Sequence, residues 1–296
     1  MKKPEENNNI SSAEMTAYWR SGYKISGDHL SEELASPQGI EKAHQFEEKY
    51  NYPLVKRKVS VRARFMLDLA CHFLNTKQYD SCISFASGFS LLTYFIFQRL
   101  HTESLSIKFI DTDLQDILNE RQKRIAKMAY QHSLIENNIA AQVLDLEEAC
   151  NNNYHLKDIF PSCENPVFLI EGVIYFLSTK CVMWLIKEIS SYDTAALIFD
   201  YWPEDGAQES KCFSNTVHAL RGFMKESVVS FFDNGFWSEQ NFKQLTQNFS
   251  AIKHCGIGHF EKNLVTDNSE SCLLTDQNEF FPVMLYAGKT TLKSKL

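Results

Sequence analysis

Residues 81–113 indicate the fold class most directly; they read SCISFASGFSLLTYFIFQRLHTESLSIKFIDTD. Two short apolar runs in this stretch flank a segment of helix length. We predict strands at residues 81–86 and 106–110, with a helix at residues 91–100 between them. Both strands are continuous apolar runs rather than alternating ones, which is typical of parallel strands covered by helices on both faces. The stretch therefore reads as one strand–helix–strand unit of an α/β protein.

The same alternation continues toward the end of the chain. Further strands are predicted at residues 141–144, 167–170 and 195–199, and helices at residues 114–130 and 179–190. Residues 249–253 and 281–287 read as two more strands with no long helix between them, which fits an antiparallel hairpin closing the sheet edge. We therefore predict a doubly wound, Rossmann-like sheet that is mostly parallel and has an antiparallel C-terminal strand.

The N-terminal part of the chain shows helical periodicity before any strand signal. Apolar side chains at positions 61, 65, 69 and 73 form an i, i+4 stripe, which predicts an amphipathic helix. Pro37 and Gly39 interrupt an earlier helical pattern, and the polar residues 1–13 are expected to fray. We predict a helical lid at residues 1–75 and an α/β domain at residues 76–296, with an insert at about residues 202–248.

Composition and charge exclude several classes of protein. With 44% hydrophobic residues the chain is too apolar to be disordered, and its net charge of −7 argues against a nucleic-acid partner. We expect no secretory signal and no membrane span, which predicts a cytoplasmic protein. Cysteines in apolar surroundings, such as Cys82 and Cys181, read as reduced core residues. His254 and His259 form too weak a pattern to predict a metal site, so none is predicted.

The residues that follow the predicted strands are the candidates for a binding site, because the carboxyl ends of parallel strands meet at one edge of a sheet. The first strand is followed by the small residues at 86–90, whose backbone N–H groups can approach a ligand. The other four strands are followed by acids: Asp111 and Asp113, Asp145, Glu171, and Asp200. An acid after the second strand suits the hydroxyl groups of a nucleotide ribose. Helix capping explains such acids equally well, Asp113 in particular, and both interpretations remain open from spacing alone.

A series of motifs then resembles one known family. In chain order the motifs are TAYW (16–19), RARF (62–65), ISFASGFS (83–90), FIDTDL (109–114), LDL (144–146), FLIEGVIYFL (168–177) and IFDY (198–201). Together they resemble the leucine carboxyl methyltransferase family, class I S-adenosylmethionine-dependent O-methyltransferases that include bacterial members acting on small molecules and polyketides. The resemblance runs from about residue 16 to residue 289, and residues 168–177 are its most distinctive part.

The resemblance implies a cofactor, S-adenosylmethionine, with S-adenosylhomocysteine as product. Arg64 matches the arginine that grips the methionine carboxylate, a role that suits a guanidinium group. Without the resemblance, Arg64 reads as a surface arginine on an amphipathic helix. The other implied contacts are Ala86 and Gly88 in the loop after the first strand, Asp113 (or Asp111) at the ribose, Asp145 and Leu146 at the adenine, and Glu171 near the amino group or sulfonium.

Four departures from the family pattern bear on function. Ala86 replaces a glycine, which is tolerable if its φ is negative and its Cβ points away from the ligand. Ser90 replaces an aspartate, Phe176 a tyrosine, and Gln115 a proline. We expect an O-methyltransferase acting on a carboxylate or hydroxyl of a small or carrier-bound metabolite. The alternatives are a same-fold enzyme that uses the cofactor for another reaction, and a non-catalytic binding protein. No catalytic residue is assigned; His218 and His254 are general-base candidates by residue type alone.

Overall fold

The computed structural model describes residues 8–50, 54–100, 106–128, 131–203, 236–237, 249, 251–256, 258, 260–262 and 283–289. Three helices come first: α1 (Asn8–Arg20), α2 (Pro37–Lys49) and α3 (Val55–Asn75). Two 3-10 turns, Lys24–Ser26 and Ser31–Leu34, connect α1 to α2. The predicted helical character of this segment is confirmed, but α1 begins at Asn8, inside the residues expected to fray.

Pro37 and Gly39, predicted as an interruption, mark the start of α2. The Ser36 hydroxyl is the N-cap and accepts a hydrogen bond from the Gly39 N–H at 3.0 Å. Pro37 occupies the first turn, where its missing N–H group removes no helical hydrogen bond. The two residues therefore end the connection from α1 and begin the next helix.

Helix α3 is buried around most of its circumference, because it lies between the other N-terminal helices and the sheet. Val55 and Val59 pack against Met15, Trp19 and other apolar residues of α1 and α2. Phe65, Met66 and Leu67 belong instead to the core on one face of the sheet. The single apolar stripe that predicted this helix is thus only part of its buried surface.

A parallel sheet forms the centre of the molecule. Its first five strands are β1 (Ser81–Phe85), β2 (Lys108–Asp113), β3 (Ile139–Val143), β4 (Pro166–Ile170) and β5 (Ala195–Pro203). They lie in the order β3-β2-β1-β4-β5, and every neighbouring pair among them is parallel. The helices that accompany them are α4 (Leu92–Leu100), α5 (Gln115–Ile125), α6 (Gln131–Asn138), α7 (Leu146–Asn151), α8 (Leu156–Ile159) and α9 (Thr179–Ser190). The predicted α/β class is confirmed.

Three shorter or later strands complete the described part of the sheet. β8 (Val283–Lys289) lies between β5 and β7 (Ala251–Gly256) and is antiparallel to both of them. β6 (Phe236–Trp237) pairs with the end of β5. Most of the predicted insert at 202–248 lies outside the described residues, so its boundaries stay a prediction, as does the division at residue 75.

Apolar cores cover both faces of the sheet. Every residue of β1 and β4 is buried, as expected for strands with helices on both sides. One core includes Phe85, Phe168 and the inner face of α9, and the other includes Cys82, Leu169 and α4. Cys82 and Cys181 are buried, as predicted for core residues. Among the helices that the structure describes, none combines the length and apolarity needed to cross a bilayer.

Candidate active site

A cavity of about 420 Å³ lies at the carboxyl ends of β1 to β4, where open α/β sheets bind ligands. Its volume is within the range of about 300–1,000 Å³ that is usual for small-molecule sites. Six of the seven predicted cofactor residues line it: Ala86, Gly88, Asp113, Asp145, Leu146 and Glu171. Segments that are far apart in the sequence thus converge on one space.

Helix α1 forms a wall of this cavity with one of its faces. The residues that it presents recur at helical spacing and are small until the last one: Ser12, Ala13, Thr16, Ala17 and Arg20. The opposite side of α1 packs into the N-terminal core. Glu14 of α1 forms an ion pair with Arg124 of α5 at 2.5 Å. Arg20 forms an ion pair with Glu171 after β4 at 2.7 Å. The helix is therefore tied to the α/β layer by two ion pairs.

The loop after β1 turns through two left-handed residues. Gly88 has φ +55° and Ala86 has φ +45°. The condition under which alanine would be tolerated, a negative φ, is therefore not met, since an L residue other than glycine is strained in this region. A Cβ added at Gly88 would lie 3.5 Å from the Cβ of Ala13, an ordinary contact distance. The loop thus reaches α1 closely at its second left-handed residue.

Asp113 holds this loop from the end of β2. Its Oδ2 accepts a hydrogen bond from the Gly88 N–H at 2.6 Å, and its Oδ1 accepts one from the Leu114 N–H at 2.7 Å. Burial raises the pKa of Asp113, and these two hydrogen bonds oppose the rise. Helix α5 has Leu114 as its N-cap, so the capping interpretation is wrong for Asp113. A carboxylate has about four lone-pair sites, which leaves Asp113 able to accept hydrogen bonds from a ligand.

Asp111, the alternative to Asp113 as the ribose ligand, binds other side chains of the protein instead. Its carboxylate is buried, pairs with Arg121 at 2.5 Å and accepts hydrogen bonds from the Thr93 hydroxyl at 2.8 and 2.9 Å. It is absent from the described cavity wall.

Asp145 is the N-cap of α7, so helix capping is the correct interpretation of this strand-end acid. Its Oδ1 accepts hydrogen bonds from the N–H groups of Glu147 and Glu148 at 2.9 and 3.1 Å. Asp145 is exposed on the cavity wall, and both capping bonds use one oxygen. Leu146, the next residue, is buried and presents an apolar surface to the same space.

Glu171 is held by two arginines from the N-terminal helices. Arg20 Nη2 lies 2.7 Å from Glu171 Oε2, and Arg62 Nε lies 3.0 Å from Glu171 Oε1. Burial alone would raise the pKa of Glu171, but Arg20 and Arg62 hold it below its usual value. Glu171 is therefore a carboxylate with fixed orientation at the edge of the cavity.

Two buried aspartates support these arginines from behind. Arg62 Nη1 lies 3.3 Å from Asp200 Oδ2, and Asp200 Oδ1 accepts a hydrogen bond from the Gly172 N–H at 2.7 Å. Asp28 Oδ2 lies 3.7 Å from Arg20 Nε, too far for a hydrogen bond. Burial raises the pKa of both aspartates, and the neighbouring arginine opposes the rise in each case.

Arg20 is a buried cation on the wall of the cavity. The guanidinium is 3% exposed and lines the cavity. Within the described part of the chain, its Nε and Nη1 atoms are buried without a hydrogen-bond acceptor. Buried donors are almost always paired in native proteins. The hydrogen bonding of Arg20 is therefore incomplete beside the cavity, although neither of these two atoms is itself open to it.

The structure does not bring Arg64 to the cavity. Its guanidinium is 24% exposed, pairs with Asp68 of the same helix at 2.8 Å, and donates to the Ile25 carbonyl at 3.5 Å. Arg62 faces the cavity instead. Two residues are about 200° apart around a helix, at about 100° per residue, so Arg62 and Arg64 point to nearly opposite sides of α3.

The family model for leucine carboxyl methyltransferase matches residues 10–190 of this chain, which include α1, α3 and the first four strands. The chain belongs to the leucine carboxyl methyltransferase family. The predicted resemblance is thereby confirmed, and the chain is a member of a family of methyltransferase enzymes. No curated protein sequence matches it.

Two solved structures of low sequence identity share the fold of this family member, and a third is similar at a lower score. A predicted methyltransferase from Thermobifida fusca YX is 11% identical with a TM-score of 0.56, covering 92% of this chain and 94% of that one. The CMeT domain of the citrinin polyketide synthase is 10% identical with a TM-score of 0.51, covering 91% and 65%. An O-methyltransferase family protein from Burkholderia thailandensis is 12% identical with a TM-score of 0.49. That match covers 84% of this chain, which spans 63% of the Burkholderia protein's length.

Sequence reasoning missed Arg20 and Arg62 in this leucine carboxyl methyltransferase family member. Arg20 directly follows the TAYW motif, and Arg62 opens the RARF motif, so both stood next to residues that carried the resemblance. The useful signal was the spacing of small residues at 12, 13, 16 and 17, one helical face that ends at Arg20. Of the base candidates, His218 lies outside the described residues, and His254 lies in β7.

Proposed function

We propose that the cavity binds S-adenosylmethionine and that this family member transfers its methyl group to an oxygen atom of a small or carrier-bound metabolite. The observation that carries the proposal is the buried guanidinium of Arg20, a cation on the wall of a cavity that Arg62 and Glu171 also line. The amino-acid end of S-adenosylmethionine bears a carboxylate, an acceptor of the right charge for this arginine.

The donor and acceptor groups around the cavity fit the rest of the cofactor. Arg20 and Arg62 would hold the carboxylate, and Glu171, kept ionised by them, would accept from the ammonium group. Asp113 has lone pairs left for the ribose hydroxyls. Asp145 has one oxygen outside its capping bonds for the exocyclic amine of adenine. The apolar side chains of Ile117, Leu144 and Leu146 would contact the ring.

S-adenosylmethionine supplies an electrophilic methyl group on a sulfonium centre. The chain's own contribution is to orient the cofactor and exclude water, since α1 forms one wall and Val173, Phe176 and Leu177 add apolar surface. An acceptor carboxylate is ionised at pH 7 and needs no base, whereas a hydroxyl needs one or a lowered pKa. Both acceptor classes belong to the proposal.

Calorimetric titration with S-adenosylmethionine and S-adenosylhomocysteine tests the cofactor site, with Arg62→Gln, Arg20→Gln and Arg64→Gln compared side by side. Charge-assisted hydrogen bonds contribute about 1.5–3 kcal/mol each, so the first two variants should weaken binding roughly 10- to 150-fold. Arg64→Gln is the matched control, because it removes the same group from the same helix on the side away from the cavity. Thermal melts establish that each variant is folded.

The outcomes separate the three candidate functions. Formation of S-adenosylhomocysteine with a carboxylate or hydroxyl acceptor supports methyl transfer. Cofactor binding and turnover without S-adenosylhomocysteine would favour the same-fold enzyme that uses the cofactor differently. Wild-type protein that binds neither compound would favour the non-catalytic binding protein. Equal loss of affinity in Arg62→Gln and Arg64→Gln would contradict the site as drawn here.

A further inference from the structure

The loop after β1 adopts its shape with one glycine fewer than that shape calls for. Ala86 and Gly88 both have positive φ, and only Gly88 adopts this conformation without strain. Ala86, Ser87 and Gly88 all line the cavity. Something other than local backbone preference must therefore keep Ala86 in the left-handed region.

Arg121 of α5 lies directly behind this loop. Its Nη1 donates to the Ser87 hydroxyl at 3.2 Å, and its Nη2 pairs with Asp111 at 2.5 Å. Asp111 is itself fixed by the Thr93 hydroxyl of α4 at 2.8 and 2.9 Å. The guanidinium thus connects the loop to β2, α4 and α5 at once.

Ser87 is held on both sides, which locks the residue between Ala86 and Gly88. Its N–H donates to the Thr112 carbonyl at 2.9 Å, while its hydroxyl accepts from Arg121. The next N–H, that of Gly88, donates to Asp113. Displacement of Ser87 would therefore also move the Gly88 N–H and the carboxylate proposed to bind the ribose.

Arg121 is an unusual choice for a purely structural role. Its side chain is 4% exposed and does not reach the described cavity wall, so it cannot touch the cofactor. Its Nε is buried without a hydrogen-bond acceptor in the described part of the chain. A buried arginine with a spare donor is not the most stable filling for such a space, since apolar residues often replace buried ion pairs without loss.

We propose that Arg121 is a positioning residue that holds Ala86, Ser87 and Gly88 in the conformation that binds the cofactor. Arg121 does this through the Ser87 hydroxyl. The contact compensates for the strain of a positive φ at Ala86, which a glycine at that position would not have. The proposal rests on the proposed function for the identity of the ligand. Its mechanical part concerns the loop itself.

The test combines two changes in a cycle: Arg121→Gln, Ala86→Gly, and both together. We expect Arg121→Gln to weaken S-adenosylhomocysteine binding about tenfold or more in calorimetry. Ala86→Gly in the same chain should restore at least half of that loss on a logarithmic scale, because glycine adopts positive φ unaided. Lys123→Gln, on the exposed side of α5, is the control and should leave affinity unchanged.

Hydrogen exchange of the loop amides supplies a readout that needs no ligand. We expect the amides of Ser87 and Gly88 to exchange about tenfold faster in Arg121→Gln than in wild type, and the double variant to recover part of this protection. If wild type binds no S-adenosylhomocysteine, the proposed function fails, and the exchange rates still decide the role of Arg121.

Two results would overturn the proposal. One is unchanged loop exchange in folded Arg121→Gln; the other is an equal effect of Arg121→Gln with and without Ala86→Gly, which would mark a general loss of stability. If Arg121→Gln does not fold, Ser87→Ala breaks the same contact from the loop side and leaves the Arg121–Asp111 pair in place. It should then raise exchange of the Gly88 amide, and an unchanged rate would contradict the proposal.

Discussion

Gly172 is the residue at which backbone shape and side-chain packing meet in the site. It has φ +68°, and a Cβ built there would lie 2.9 Å from Nη2 of Arg62. Its N–H also donates to Asp200, which pairs with the same arginine. No other residue type lets the chain pass so close to the guanidinium without moving it. The glycine therefore fixes where Arg62 can lie.

Replacement of Gly172 by alanine should destabilise the protein and displace Arg62. The left-handed conformation alone costs an L residue about 1–2 kcal/mol, and the overlap with Arg62 adds to this. Gly88→Ala is the matched control, since it has the same backbone strain but an added Cβ at an ordinary 3.5 Å from its neighbour. Urea unfolding should show the larger loss for Gly172→Ala; equal losses would contradict a steric role for Arg62.

The charge on Glu171 should contribute to stability in a pH-dependent way. Its pKa in the folded protein is below the usual 4.5, because Arg20 and Arg62 outweigh the effect of burial. The contribution is therefore fully present above pH 4.5 and is lost as the pH falls through the lowered pKa. The free energy of unfolding of wild type minus that of Glu171→Gln, measured between pH 7 and pH 3, should shrink toward low pH. A difference that grows on acidification would show that the pKa of Glu171 is raised rather than lowered in the folded protein.

Helix α1 forms one wall of the cavity, and two ion pairs join the helix to the α/β layer. One ion pair joins Glu14 to Arg124, and the other joins Arg20 to Glu171. Arg124 also donates to the Leu34 carbonyl at 2.5 Å, so it ties the connection between α1 and α2 to the same point. We expect a ligand beside α1 to leave faster when one of these ion pairs is broken.

Glu14→Gln should therefore speed ligand release. Loss of the charged partner of Arg124 weakens this attachment of α1 by about 1–2 kcal/mol. Dissociation of S-adenosylhomocysteine in stopped-flow experiments should therefore be roughly 5- to 30-fold faster. Glu120→Gln is the matched control, because Glu120 pairs with the same arginine from within α5 and ties nothing across the cavity. Similar dissociation rates for the two variants would show that α1 does not control release.

The site joins two layers of the molecule, so ligand binding should stabilise both at once. The cavity wall includes α1 on one side and the ends of β1 to β4 on the other. S-adenosylhomocysteine at 100 times its Kd should raise the free energy of unfolding by about 2.7 kcal/mol. Hydrogen exchange should slow in α1 and in the loop after β1 together. Protection limited to the strand ends would show that α1 is not part of the site.

Much of this architecture was predictable because strands and helices have different periods. Continuous apolar runs located β1, β2, β4 and β5, and three of the strand-end acids, Asp113, Asp145 and Glu171, lie on the cavity wall. The choice between Arg62 and Arg64 was not predictable in this way. Helix α3 is buried on nearly every side, so its pattern does not reveal which side faces the ligand. Which side of α3 faces the cavity depends on how α1 and the sheet pack around it.

The conformation of Ala86 was hidden for a related reason. Alanine ordinarily avoids positive φ, so its sequence position argued for a relaxed loop. The contacts proposed to hold φ +45° run from the Ser87 hydroxyl to Arg121, which is itself paired with Asp111 on another element. Asp145 shows the reverse case, because capping is a local property and was one of the two interpretations that the sequence left open for the strand-end acids.

The position of β8 has a consequence for how the chain is made. β8 enters the sheet between β5 and β7, although both precede it in the sequence. Synthesis of the chain between Pro203 and Val283 takes about 4–16 s at about 5–20 residues per second. During that interval β1 to β5 can already pair with one another, while the edge of β5 that β8 covers in the folded protein has yet to meet β8. We therefore expect the arrival of β8 to be the step at which correct folding of the nascent protein competes with aggregation through the edge of β5.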